Sequence, residues 1–237
     1  MKIGQGNKSF SLSLAYLPIC IFTTIVIASL FSSAFHLGFK PPVISLGLLF
    51  FLILSAALIS KQLSLATPLG TRLTIVHLSI VCLLGGLAFE KLTPVSDLML
   101  WSITLIGVIA IGTLLFDCWI SKKIGASGGF SKWLNYLSEI TIFVSTFSLL
   151  SILEKLYFFV SAASIIVYIF VFFLSLYYNS RTFSSSNHYL YLRGIIVISL
   201  VLSFAPVLSS AHSALLVILI SCISQFLAIY FIFKGKN

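Results

Sequence analysis

The sequence predicts an all-α polytopic membrane protein, a bundle of about eight transmembrane helices that forms a single domain over residues 1–237. Of its residues, 59% are hydrophobic and only 8% are charged, and the mean hydropathy is +1.17. A soluble domain needs about a quarter of its residues charged to cover its surface. The second observation is that the chain is divided into long apolar runs, and about 20 helical residues cross a hydrocarbon core of about 30 Å.

Eight apolar runs are long enough to be spans. Runs such as "IIVYIFVFFLSLYY" are apolar on every side, whereas strands of an outer-membrane barrel alternate between polar and apolar residues. Because the last two runs are separated only by "SSAH", seven spans with one re-entrant hairpin are an open alternative. The predicted spans cover residues 11–35, 42–60, 73–89, 98–120, 133–152, 156–178, 194–209 and 212–233.

Lysine and arginine are distributed unequally between the connections. Eleven of the 14 fall on the side that holds both termini, and only Lys40, Lys91 and Lys155 fall on the other side. Short loops rich in these residues face the cytoplasm. We therefore expect a multi-pass protein of a bacterial inner membrane, surrounded by lipid, with both termini in the cytoplasm. No soluble basic segment is interleaved with aromatic residues, which excludes nucleic acid as an expected partner.

Two acidic residues lie inside predicted spans, Asp117 in the fourth and Glu139 in the fifth. An ionisable group at membrane depth is costly, which makes function the default hypothesis. Both residues, however, lie near the end of the bundle that carries Lys122 and Lys123, and long lysine side chains can extend to the interface. We therefore expect interfacial ion pairs rather than a proton path.

Histidine and cysteine are the remaining candidates for redox chemistry. His36 and His212 share one edge of the predicted bundle and could face each other as haem ligands, but both border turns, which favours polar capping at the interface. The cysteines lie inside apolar runs without a C-x-x-C pair, so we expect small buried apolar side chains rather than ligands. They are Cys20, Cys82, Cys118 and Cys222. The sequence predicts no catalytic residue, no metal site and no cofactor bound by this chain.

The first span opens with "YLPICIFTT", Tyr16 to Thr24. This stretch resembles the start of the membrane-anchor subunits of the dimethyl sulfoxide reductase family, which often begin with a leucine-proline pair followed by phenylalanine-threonine. Near the C-terminus, "ISQFLAIYFIFKG", Ile223 to Gly235, is similar to the last span of that family. The family also has eight helices, so the resemblance covers the helix plan of nearly the whole chain.

A second motif of that family ends its second span: histidine-leucine-glycine-x-proline with an arginine soon after. At the matching place this chain has "SLATP", Ser64 to Pro68, followed by Arg72. The leucine and the proline correspond, Ser64 stands in place of the histidine and Ala66 in place of the glycine. The serine-arginine-glutamate stretch that opens the family's third span is absent, and His77 is the nearest residue able to replace the histidine.

The resemblance implies a non-catalytic subunit of an oxidoreductase complex in anaerobic respiration. Members of the family tether a molybdopterin catalytic subunit and an iron–sulfur subunit at the membrane, and offer a quinol site beside the nearest cluster. For this chain it implies those two partners and a quinol site at Ser64, Pro68, Arg72 and His77. Such a site needs an apolar slot and a few proton-accepting groups, but no cofactor bound permanently by the chain.

Two other functions remain open. One is a small permease or flippase with no redox role, which the absence of paired proline or glycine breaks in the spans disfavours. The other is an enzyme of lipid metabolism, because "KPP", Lys40 to Pro42, and "LLGG", Leu83 to Gly86, resemble lysoplasmalogenases. The membrane aspartates of that family have no counterpart here.

Overall fold

The computed structural model describes residues 6–60, 68–90, 92, 95–124, 129–177 and 204–206, together with eight further residues between 212 and 226. Throughout these parts of the chain the regular elements are α-helices, which confirms the all-α class there. The helices are α1 (Gly6–Ala34), α2 (Lys40–Ser60), α3 (Pro68–Leu87), α4 (Asp97–Ile124), α5 (Gly129–Ile152) and α6 (Phe158–Tyr177).

Each of the first six predicted spans corresponds to one helix, and the largest differences, of five residues, are at the starts of α1 and α3. The third span was expected to begin at residue 73, but α3 begins at Pro68. Proline is favoured in a first helical turn because the N–H it lacks has no partner there and its fixed φ suits the helix. Pro68 and Arg72 therefore belong to a helix rather than to a loop.

Three stretches of helix are long and apolar enough to cross a membrane: Leu17–Ala34, Lys40–Ile59 and Trp133–Ile152. Shorter apolar stretches lie in α3, α4 and α6. Large apolar side chains, Phe22 and Phe51 among them, are exposed on these helices. Extensive apolar surface of this kind marks contact with a membrane. The chain is therefore a membrane protein, while the number of spans stays a prediction.

The last two predicted spans are described only in part. Within the predicted seventh span, Phe204–Pro206 form a turn rather than a helix, and Pro206 has no N–H with which to continue helical hydrogen bonding. The eight described residues between 212 and 226 are helical and exposed. One of them is Cys222, so the expectation of a buried side chain is wrong at this cysteine, whereas Cys20 and Cys82 are buried as expected.

The contacts divide the chain into two compact units. Unit 1 consists of Met1–Lys91 and Gly112–Ile142, and unit 2 of Leu92–Ile111 and Phe143–Asn237. The prediction of a single domain stays a prediction. In unit 1, α1, α2 and α3 pack against one another, and every residue of α3 from 77 to 87 is buried. This helix therefore lies at the centre of unit 1.

Polar and small residues tie α3 to its neighbours in unit 1. Thr24 of α1 donates from Oγ1 to the carbonyl oxygen of Cys20 (2.8 Å) and lies 3.0 Å from Oγ of Ser79 on α3. On the other side, Gly86 lets α3 approach α2 closely, because a Cβ there would lie 2.6 Å from the carbonyl oxygen of Pro41. Small residues and hydrogen bonds are what holds helices together in lipid, which supplies no hydrophobic drive between them.

The end of α5 in unit 2 is a helix cap of the Schellman type. The N–H of Lys155 donates to the carbonyl oxygen of Leu150 (2.9 Å), and Glu154 has the positive φ of 56° that this motif requires. A second tie joins α5 to α6, where Ser161 donates from Oγ to the carbonyl oxygen of Phe147 (2.7 Å). The turn after α5 therefore has a fixed geometry.

That fixed turn directs Lys155 onto the turn at Phe204–Pro206. Nζ of Lys155 donates to the carbonyl oxygens of Phe204 (3.1 Å) and Ala205 (2.8 Å). Burial lowers the pKa of Lys155 below the usual lysine value, and the carboxylate of Asp97 opposes that shift. The ammonium group thus donates hydrogen bonds to two carbonyl oxygens of a buried, non-helical segment, which satisfies them.

The close approach at Gly86 gives the first testable prediction. We expect Gly86→Ala to force α2 and α3 apart and to lower the free energy of unfolding by about 1–3 kcal/mol, the usual cost of overpacking. Gly47→Ala on α2 is the matched control, because a Cβ there meets nothing within 4 Å. Equilibrium unfolding in mixed detergent micelles, followed by circular dichroism, measures both variants. Equal stabilities would contradict the close packing.

Candidate functional site

Of the predicted quinol-site residues, only His77 has a described side chain. Ser64 lies outside the described residues, and for Pro68 and Arg72 the structure describes a helical backbone alone. His77 follows Pro68 by nine residues on α3, which places it about 14 Å further along the helix axis. The structure therefore puts His77 inside unit 1, about two and a half helical turns from Pro68.

His77 is completely buried and contacts a polar residue of another helix. Its side chain has 0% exposure, and Nδ1 lies 3.2 Å from Oγ1 of Thr113 on α4. Either group can donate in this hydrogen bond, depending on which ring nitrogen carries the proton. Both residues belong to unit 1. The contact links α3 to α4 and fixes the orientation of the imidazole ring.

A polar face of α5 belongs to the same unit. Asn135, Ser138 and Glu139 are spaced three and four residues apart, so they share one face of the helix. Ser138 and Glu139 are buried, with exposures of 0% and 6%. Glu139 is seventh in the apolar stretch Trp133–Ile152. This is the position expected from the sequence, about two turns into the fifth span, and its ion pairing with lysine stays a prediction.

Thr113 on α4 and Glu139 on α5 lie at similar distances from the connection between these two helices, and therefore at a similar depth in unit 1. Thr113 lies eleven residues before the end of α4 at Ile124, and Glu139 lies ten residues after the start of α5 at Gly129. At 1.5 Å per residue, each is about 15–17 Å from the connection between the two helices. The interior of unit 1 thus holds an imidazole, a hydroxyl and a carboxyl group at comparable distances from one end of the bundle.

This arrangement suits proton transfer and hydrogen bonding. Imidazole and carboxyl groups are the side chains that most often accept and release protons in proteins. Among the described residues no group of three or more His, Cys, Asp or Glu side chains could hold a metal ion. Sequence reasoning found His77 and Glu139 but missed Thr113 and Ser138, since hydroxyl residues are common inside membrane helices. Thr113 is distinguished only by its contact with His77, and Ser138 only by its complete burial.

Comparison of the chain with protein-family models, with curated proteins and with solved structures finds no match.

The contact between His77 and Thr113 can be tested by removing the hydroxyl group alone. Thr113→Val keeps the shape of the side chain, and we expect it to lower the free energy of unfolding by about 0.6 kcal/mol and at most about 1.7 kcal/mol. Thr113→Ser retains the hydroxyl and is the control. Unfolding in mixed micelles measures the difference. If the two variants are equally stable, the hydrogen bond contributes nothing.

Proposed function

We propose that the chain is the integral-membrane anchor subunit of a dimethyl-sulfoxide-reductase-like respiratory complex and binds quinol in unit 1. The observation that carries this proposal is the burial of His77 within unit 1, with Nδ1 against Thr113. A histidine in the interior of an apolar bundle is an ionisable group in the membrane, which is costly and is retained where it serves a function.

Quinol oxidation defines what the site must supply. A quinol becomes a quinone when it loses two electrons and two protons, so the protein must accept the protons while an electron acceptor takes the electrons. In this proposal His77 accepts the two hydroxyl protons of the quinol headgroup one after the other and releases the first to water before it takes the second. Thr113 holds the imidazole in place, and the iron–sulfur partner subunit takes the two electrons. The apolar residues around α3 suit the quinol's ring and tail.

Two other residues of the predicted site lie on the same helix. Pro68 opens α3 and Arg72 is on it, five residues before His77. An arginine near the headgroup would stabilise the negative charge that develops as the hydroxyl proton leaves. Ser64 precedes this helix and would extend the site toward the connection from α2. In this proposal the protein is a multi-pass protein of a bacterial inner membrane with both termini in the cytoplasm, where eleven of its lysines and arginines would lie.

A second candidate, a small permease or flippase, is favoured by one observation. The turn at Phe204–Pro206 interrupts the predicted seventh span, and its carbonyl oxygens bind the ammonium of Lys155. Interrupted helices whose carbonyl oxygens face a cation are typical of transporter binding sites. Transport of a substrate into liposomes by the purified protein, in the absence of any redox partner, would favour this candidate over the anchor.

Co-purification tests the anchor function directly. We expect extraction of the full-length protein from its native membrane in a mild detergent to yield a complex with a molybdopterin subunit and an iron–sulfur subunit. Iron and molybdenum analysis of the purified material measures this. A preparation that contains the chain alone after extraction in several mild detergents would contradict the anchor function.

Quinol binding has its own test. We expect His77→Ala and Arg72→Ala, singly, to weaken the binding of a fluorescent quinol analogue about tenfold or more, since one lost hydrogen bond to a charged group costs about 1.5–3 kcal/mol. His36→Ala is the matched control, because His36 lies in the turn after α1. Unchanged affinity in the double variant would remove the quinol site from α3 while leaving the anchor function open.

A further inference from the structure

The polar face of α5 in unit 1 has buried hydrogen-bonding atoms that no protein group satisfies. Oγ of Ser138 and Oδ1 of Asn135 are buried and make no hydrogen bond. Both residues lie on the helix face that carries the buried carboxyl group of Glu139. The side chain of Ser138 is completely enclosed. Polar atoms this deeply enclosed in native proteins nearly always have a partner, either in the protein or in ordered water.

Several other hydroxyl residues in these helices are satisfied by their own helix, which Ser138 is not. Thr141, one turn along α5, donates from Oγ1 to the carbonyl oxygen of Leu137 (2.8 Å). The same bond to the residue four positions earlier is made by Thr23, Ser102 and Thr104. This local bond satisfies a hydroxyl group without help from another helix. Because Ser138 does not make it, its hydroxyl group remains available to a ligand.

We propose that the face of α5 formed by Asn135, Ser138 and Glu139 binds internal water, and that this water connects the carboxyl group of Glu139 with the aqueous phase at the end of unit 1 where α4 joins α5. Each water molecule needs two to four polar partners in a buried site. The amide oxygen of Asn135, the hydroxyl group of Ser138 and the carboxyl group of Glu139 are three such partners on consecutive turns.

The three residues become more deeply buried along α5, from Asn135 to Glu139, so the outer end of the water path is at Asn135. Asn135 is only half-buried and lies nearest the start of α5, whereas Ser138 and Glu139 are enclosed. Glu139 in turn reaches the depth of Thr113, the residue that contacts His77. The path would let a proton move between Glu139 and the aqueous phase. Its use for protons released from quinol depends on the proposed function, but the binding of water does not.

Water-edited solid-state NMR of the full-length protein in lipid bilayers tests the proposal, because it measures how fast magnetisation passes from water to individual side chains. We expect signals of Ser138 and Glu139 to build up several times faster than those of Leu149 and Leu150, which are as deeply buried on the same helix. Build-up at the same slow rate as these leucines would overturn the proposal.

The sign of a stability change gives a second, independent readout. If Ser138 binds water, Ser138→Ala removes a hydrogen-bonding partner and lowers the midpoint of thermal unfolding. If the site is dry, the same change relieves an unsatisfied hydroxyl group and raises the midpoint, which would overturn the proposal. Thr141→Ala is the matched control, since that hydroxyl group bonds to its own helix. Neither readout involves quinol or a partner subunit, so either can succeed if the anchor function fails.

Discussion

The central constraint on unit 1 is that α3 carries polar residues within the stretch 77–87, every residue of which is buried. A buried polar group must find a partner, because leaving it unsatisfied costs about 1–3 kcal/mol. Ser79 therefore contacts Thr24 of α1, and His77 contacts Thr113 of α4. On the side toward α2 the helix instead carries Gly86, which allows the two backbones to approach. The polar residues of α3, together with Gly86, thus determine which neighbouring helix packs against each part of α3.

The same constraint connects the fold to the proposed chemistry. A histidine that only capped a helix end could be replaced by many polar residues, whereas one enclosed at the centre of a unit is held in one orientation by its neighbours. Fixed orientation is what a proton acceptor needs, because proton transfer depends on the position of the accepting nitrogen. Glu139 adds a second ionisable group at a depth similar to that of Thr113, so the interior of unit 1 holds two groups able to exchange protons. In the proposed function the imidazole of His77 accepts protons from quinol.

The helical class, the membrane environment and the first six helices follow from the sequence because apolar runs of this length have no other stable solution in lipid. The start of α3 was misplaced because the polar stretch up to Arg72 looks like a loop, although Pro68 begins a helix. The pairing of His77 with Thr113 could not be predicted, since helix rotation is decided by packing and not by hydropathy. The turn at Phe204–Pro206 could not be predicted for a related reason: within an apolar run its only signal is one proline.

The measurement that tests the central claim most directly is ¹⁵N solid-state NMR of histidine-labelled protein in lipid bilayers. With the His77 signals assigned by their loss in His77→Gln, the account predicts that the Nδ1 shift of His77 moves when Thr113 is changed to valine. It also predicts that the signals of His36 stay in place, because His36 lies in the turn after α1. An Nδ1 shift that is insensitive to Thr113 would contradict the account, since the orienting hydrogen bond would then be absent from the membrane-embedded protein.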